Sequence, residues 1–305
     1  MREKRLIPKL RNKIATSSHI LSLYAIHEAI DILGNAGYDA IEIWAEELDL
    51  QLKHRRTSLN KVRSALKRNR MVGVIHAPLY DPHSPNNDKY NLCSKDKDVR
   101  DRSIEAHFRA LDIAEKFSFH VMTVHPGHTD KVGDKVDTGY WSLQIDAFRK
   151  IAKYAKKCGV RIGMEPMEKR QREFVTDAKR AYRILDGVMS TNLGVTFDLV
   201  HAYTHGEHAP LEFIDKMHKD KIFHVHISGH TGKSAKKTHV PFFMTRIHHH
   251  YFDRVLGSLV KNYSGMISIE GTIKGVLPMT KANQRMVVRK NMEYIHNEMK
   301  SLHFF

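Results

Sequence analysis

Residues 196–203 read Thr196-Phe197-Asp198-Leu199-Val200-His201-Ala202-Tyr203. The stretch begins as a strand and ends as a loop. Side chains two apart on a strand share a face, so Thr196 and Asp198 lie together while Val195 and Phe197 take the other side. The polar face then carries a small residue below and a carboxylate at the tip. His201 follows three residues on, where the chain leaves the strand. An Asp and a His converging on one point suit a divalent cation, the carboxylate as the hard ligand and the imidazole as the borderline one. An Asp-x-x-His at a strand end also serves as an ordinary cap for the next segment, so the stretch gains its meaning from others built the same way.

Working outward, strands and helices alternate along the chain. Short strands are predicted at Lys13–Thr16, Ala40–Trp44, Met71–His76, His120–His125, Val160–Glu165, Leu193–Asp198, Phe223–Ile227 and Met266–Glu270. Between them run apolar stripes at three- and four-residue spacing. Leu23, Ile26, Ile30 and Leu33 form one, Ile104, Phe108 and Leu111 another, and Val288, Met292, Ile295 and Met299 a last. Helices are expected over Leu59–Arg70, Arg100–Phe117, Tyr140–Lys157, Asp177–Val188 with Thr176 as its cap, a short piece after Pro210, and about Arg246–Val260. Eight strand–helix pairs without a linker-like break predict one α/β domain, a (β/α)₈ TIM barrel over residues 13–305 behind a basic lead-in of residues 1–12. An open doubly wound sheet is the alternative. No Gly-x-Gly-x-x-Gly follows any strand, which counts against a dinucleotide site.

The barrel dictates which residues face its axis. Met122 and Val124, Ile162 and Met164, Val195 and Phe197, Ile267 and Ile269 face the helices. Thr123 and His125, Gly163 and Glu165, Thr196 and Asp198, Ser268 and Glu270 face inward. His76 ends the third strand and His226 lies near the end of the seventh. Six ionisable groups thus meet at the C-terminal mouth, where residues of this fold carry out chemistry. Glu165, Asp198, His226 and Glu270 suit Zn, Mn, Mg or Co in an open site. His76 and His125 could hold a second ion with Glu165 as bridge. His201 and His239 could hold a third, or meet the substrate. With 22 histidines most must be ordinary. His19, His83, His107, His218 and His303 are read so, His224 as a deeper layer residue, and His248-His249-His250 as a solvated face. His128, His205 and His208 stay open.

Composition sets outer bounds. The 305 residues are 41% hydrophobic and 28% charged, as expected of a soluble globular protein, and no apolar run approaches a membrane span. The charged N-terminus shows no signal-peptide pattern, and two cysteines cannot form a disulfide framework, so a cytoplasmic setting is expected. The formal charge of +16 favours an anionic ligand, but the basic residues are scattered and lack interleaved aromatics. Lys233, Lys236 and Lys237 lie on a mouth loop and are candidates to bind a phosphate. The loops Tyr80–Ser94 and Gly229–His239 are expected to overhang the mouth. The oligomeric state is not legible here.

His76-Ala77-Pro78, His125-Pro126-Gly127, Glu165-Pro166, Asp198-Leu199-Val200-His201-Ala202, His224-Val225-His226 and Ile269-Glu270 resemble the xylose isomerase-like TIM-barrel superfamily over nearly the whole chain. That group holds sugar isomerases and epimerases, and endonuclease IV-type abasic-site DNA endonucleases. The epimerase-type pattern implies one metal on Glu165, Asp198, His226 and Glu270, with the two glutamates shuttling a proton beside a carbonyl and His201 meeting a substrate oxygen. The endonuclease pattern implies three zinc ions, adding His76, His125, His201 and His239. Asn91-Leu92 also resembles the endonuclease. The chain departs from that pattern at Lys237, where an Asp is expected; at Pro166-Met167-Glu168-Lys169, in place of Asn-Thr-Ala-Gly; and at Ile227-Ser228-Gly229 after His226, where Asn-Asp is expected. The resemblance therefore implies first an isomerase or epimerase of a small sugar or sugar phosphate with one to three metal ions. A DNA endonuclease comes second and a non-catalytic metal- or sugar-binding barrel third.

Overall fold

Strands β1 (Ile14–Ser17), β2 (Ala40–Trp44), β3 (Val72–His76), β4 (Val121–Val124), β5 (Arg161–Met164), β6 (Leu193–Asp198), β7 (Ile222–Ile227) and β8 (Ile267–Ile269) pair in parallel and in sequence order. β8 returns to β1 and closes a single (β/α)₈ barrel. The computed structural model describes residues 12–232, 238–245 and 249–301. The expected lead-in is outside them except for Asn12, which is buried. Its amide donates to the carbonyls of Tyr263 and Gly265, tying the start of β1 to the turn before β8.

Between and after the strands run α1 (Ile26–Asn35), α2 (Ala45–Lys53), α3 (Leu59–Asn69), α4 (Lys97–Lys116), α5 (Thr138–Lys157), α6 (Ala178–Val188), α7 (Leu199–Tyr203), α8 (Ala209–Lys216), α9 (His249–Asn262) and α10 (Lys281–Ser301). Of the expected first stripe Ile26, Ile30 and Leu33 are buried in α1, joined by Ala29, whereas Leu23 precedes the helix and is exposed; Val288, Met292 and Ile295 of α10 are buried. All eight outward strand residues named above are buried in the same shell of core. α2 was not expected: it starts directly after β2, with Glu46 and Glu47 in its first turn, where acidic residues favour the helix dipole. The cap of α6 is Asp177, whose carboxylate accepts from Arg180 N, and not Thr176. No helix among the described residues is long and apolar enough to cross a membrane.

Inside the barrel the small residues form a layer. Thr196 Oγ1 donates to the Gly163 carbonyl and lies 3.2 Å from Thr123 Oγ1. A methyl group at Gly163 would come within 2.3 Å of Thr196 Oγ1, so this layer requires glycine there. Above it the strand ends diverge, and the register sets Asp198 beside His226 across β6 and β7.

Candidate functional site

His76 and Asp198 are the last residues of β3 and β6; His125, Glu165 and Glu270 come directly after β4, β5 and β8. The amides of Glu165 and Glu270 still bond the neighbouring strands, donating to Val124 O and Ile227 O. Their side chains therefore start from fixed backbone. Around His226 Nδ1 lie Glu270 Oε2 at 3.0 Å, Glu165 Oε1 at 3.2 Å and Asp198 Oδ2 at 4.0 Å. Glu165 Oε2 lies 3.1 Å from His125 Nε2 and 3.7 Å from His76 Nε2. One carboxylate thus joins two groups of ligand atoms. His201 and His239 meet beside them, with their Nε2 atoms 3.0 Å apart. The structure brings together all eight side chains that the strand-end rule and the resemblance single out.

Several of these atoms are buried without a hydrogen-bond partner: His76 Nε2, Glu165 Oε2, Asp198 Oδ2 and Glu270 Oε2 among them. A buried polar atom left unpaired is costly, and several carboxylates packed together more so. Their free lone pairs point inward, and the donor set of carboxylates and imidazoles fits a divalent cation. His76 illustrates the arrangement: Nδ1–H donates to the Ala77 carbonyl at 2.8 Å, which fixes the tautomer and leaves Nε2 free. Asp198 divides its roles. Oδ1 accepts from His201 N at 2.7 Å and caps α7, while Oδ2 turns to the cluster. The cap and the cluster thus take different oxygens of one carboxylate.

Electrostatics follow from the crowding. Burial pushes Glu165 up, but His226 and His125 outweigh it and hold its pKa well below the carboxylate range. Glu270 is likewise drawn down to about 2, the His226 charge overcoming burial. Asp198 goes up, because burial dominates there. Burial lowers His226, yet Glu42, Glu165 and Glu270 raise it well above its ordinary value. Without a cation the cluster balances its carboxylates with imidazolium charge.

Two carboxylates of the cluster were not picked out as site residues from the sequence. Glu42 of β2 is fully buried and lies 2.9 Å from His226 Nε2 and 3.3 Å from His224 Nε2. The alternation rule applied to β2 points it inward between Ile41 and Ile43, so the signal was present. Glu168 follows β5 and lies 3.2 Å from His201 Nε2. It is past the strand, where alternation gives no direction. His224 is the deeper residue expected, with Nε2 2.9 Å from Ser268 Oγ.

The cluster opens into a cavity of about 370 Å³, walled by Trp44, Tyr80, Tyr90 and Met167 and edged by Arg170. His19 and His107, read as ordinary, both line it; His19 stacks on Trp44 and lies 2.8 Å from Glu47 Oε1. His107 is a buried helix residue with Nδ1 2.7 Å from the Ser103 carbonyl. His128 also lines the cavity, whereas His205 and His208 do not. The Tyr80–Ser94 loop overhangs the mouth as expected, pinched by a bridge between Tyr80 and Lys89. Gly229 pairs with Val240 at the base of the second loop, which brings His239 to the cavity. Lys233, Lys236 and Lys237 lie outside the described residues, as do His303 and the side chains of His248-His249-His250.

A family model described as xylose isomerase-like TIM barrel matches residues 30–297. The chain belongs to that family. An uncharacterized protein of Methanocaldococcus jannaschii, MJ1311, is 26% identical over 227 residues, 74% of this chain and 72% of that one. Among solved structures, a D-tagatose 3-epimerase-like protein superposes with a TM-score of 0.74 at 25% identity, covering 94% of this chain and 99% of its own. L-ribulose 3-epimerase has a TM-score of 0.74 at 16% identity, with 95% of each chain covered. D-psicose 3-epimerase from Clostridium cellulolyticum has 0.70 at 17%, covering 95% of this chain and 99% of its own. The last two likenesses show the shared (β/α)₈ fold alone.

Proposed function

We propose that the chain is a metal-dependent epimerase or isomerase that moves a proton at the carbon beside the carbonyl of a small sugar or sugar phosphate. The observation that carries this is the group Glu165, Asp198, His226 and Glu270, which gathers three carboxylates and an imidazole beneath an open cavity. The likeness to a D-tagatose 3-epimerase-like protein supports it. Those four residues would hold the cation, and His76 and His125 with Glu165 a second one. A divalent cation bound there polarises a carbonyl and a neighbouring hydroxyl, lowering the cost of the negative charge that forms when the proton leaves.

The chain's own residues do the rest. Glu165 leaves β5 and Glu270 leaves β8, three strands around the ring, so their carboxylates reach a bound sugar from different sides. One takes the proton and the other returns it, and the roles exchange with reaction direction. His201 hydrogen-bonds the oxygen on which charge develops. The walls of Trp44, Tyr80 and Tyr90 exclude water, which strengthens each of these interactions. The free thiols of Cys93 and Cys158 suit a reducing, cytoplasmic setting.

The test is exchange of a carbon-bound proton with deuterated water across ketopentoses, ketohexoses and their phosphates, with and without a chelator. Metal-dependent exchange with at least one is expected. Nicking of abasic-site DNA with no sugar exchange would replace this reading with the endonuclease one. A protein that binds metal or sugar and does neither is the non-catalytic barrel.

A further inference from the structure

We propose that Glu168, His201 and His239 hold a divalent cation of their own, separate from the one assigned to Glu165, Asp198, His226 and Glu270. The inference rests on the sugar-site reading only for the cavity it faces, and it moves His201 from substrate contact to ligand. The sequence offered two histidines here and a lysine, Lys237, where a third ligand was expected. The fold supplies the carboxylate from another strand: Glu168 reaches in from the segment after β5.

The protonation states follow from the hydrogen bonds. His201 Nδ1 lies 3.1 Å from the Pro166 carbonyl, so it is the donor there and Nε2 is the nitrogen turned to His239. His239 Nδ1 lies 3.3 Å from the Glu270 carbonyl and 3.4 Å from Ser228 Oγ, which likewise turns Nε2 to His201. The two Nε2 atoms face each other at 3.0 Å, a separation that calls for a proton or a cation between them. Glu168 Oε2 is 3.2 Å from His201 Nε2 and has no hydrogen-bond partner, although the residue is 1% exposed. Its other oxygen is taken by Arg170. The three ligand atoms thus lie within 4.8 Å of one another, and the buried Glu168 oxygen among them has no other partner.

Spacing and donor type match a cation. Bonds of about 2.0–2.1 Å at tetrahedral angles put two ligating nitrogens about 3.3 Å apart. The separations of 3.0 and 3.2 Å need little adjustment. Two imidazoles and one carboxylate form a set that binds zinc while leaving a fourth position open. Glu168, His201 and His239 all line the cavity, from which a further ligand would approach. The ring of His239 is also held in place: its carbonyl accepts from Thr272 N, and its backbone takes a φ of 56° in the left-handed region.

The test is anomalous scattering from zinc-soaked crystals of the whole chain, together with zinc counts in solution. A peak is expected between Glu168, His201 and His239, besides one at Glu165, Asp198, His226 and Glu270. In Glu168→Gln the first peak should vanish and the second remain. The zinc count should fall by one equivalent in Glu168→Gln and in His239→Gln, and no further in the double variant. Zinc only at the second group, with equal counts in all proteins, overturns the inference and leaves the epimerase reading standing; a proton then bridges the two rings. A peak that survives Glu168→Gln also overturns it. Zinc at neither group overturns both readings. Zinc at both with no sugar exchange overturns the epimerase reading alone.

Discussion

Glu42 Oε2 lies 2.9 Å from His226 Nε2, on the far side of the ring from Glu270, whose Oε2 is 3.0 Å from Nδ1. The buried Glu42 takes the Nε2–H and so turns Nδ1 toward the cluster. Orienting partners of this kind fix the tautomer of a ligating histidine and raise its basicity. Replacing Glu42 by Gln keeps the size and removes the charge. Cation affinity is expected to fall about 10–100-fold, read by competition with a fluorescent chelator. An unchanged affinity would reduce Glu42 to a packing residue.

Glu270→Gln is expected to abolish metal-dependent proton exchange in any sugar that the unmodified protein turns over. Because Glu270 is proposed both as ligand and as proton carrier, metal content must be measured on the same sample. Retained metal with lost exchange assigns the proton role; full exchange with retained metal removes Glu270 from the chemistry.

The metal-free protein should lose stability on the alkaline side. Burial lowers His76, but the neighbouring Glu165 carboxylate, with Glu42 and Glu270, raises it to about 9; burial lowers His201, and Asp198 and Glu168 bring it to about 9. A raised folded pKa gives stability that is complete below the ordinary value of 6.5 and is lost as pH rises through about 9. A bound cation replaces those protons. The gain in Tm on adding manganese should therefore widen from pH 6.5 to 9. A gain that stays constant or shrinks over that range would contradict this assignment of charge.

Gly163→Ala should destabilise the barrel without touching a ligand. Its methyl would meet Thr196 Oγ1 at 2.3 Å, deep in the inner layer. Overpacking of this kind costs about 1–3 kcal/mol, and denaturant unfolding would register it. Relief by Thr196→Ser would not be expected, since the hydroxyl that clashes remains; relief by Thr196→Ala would.

The sequence by itself determined the barrel and most of its mouth. Strand alternation has a period of two, so a buried apolar residue on one face forces its neighbour to the other. Val195 and Phe197 thus send Asp198 inward, and Ile267 and Ile269 do the same for Glu270. The same rule reached Glu42, which was not taken up as a site residue. Only the tertiary structure decided what lies beyond the strand ends. Glu168 joins His201 and His239 although the three are separated by up to 71 residues, because β5, β6 and β7 are neighbours in the ring. His19 comes to the cavity for a similar reason, stacked on Trp44 across β1 and β2. Past a strand end no ladder fixes direction, and a side chain's aim is set by long-range packing that local periodicity does not encode.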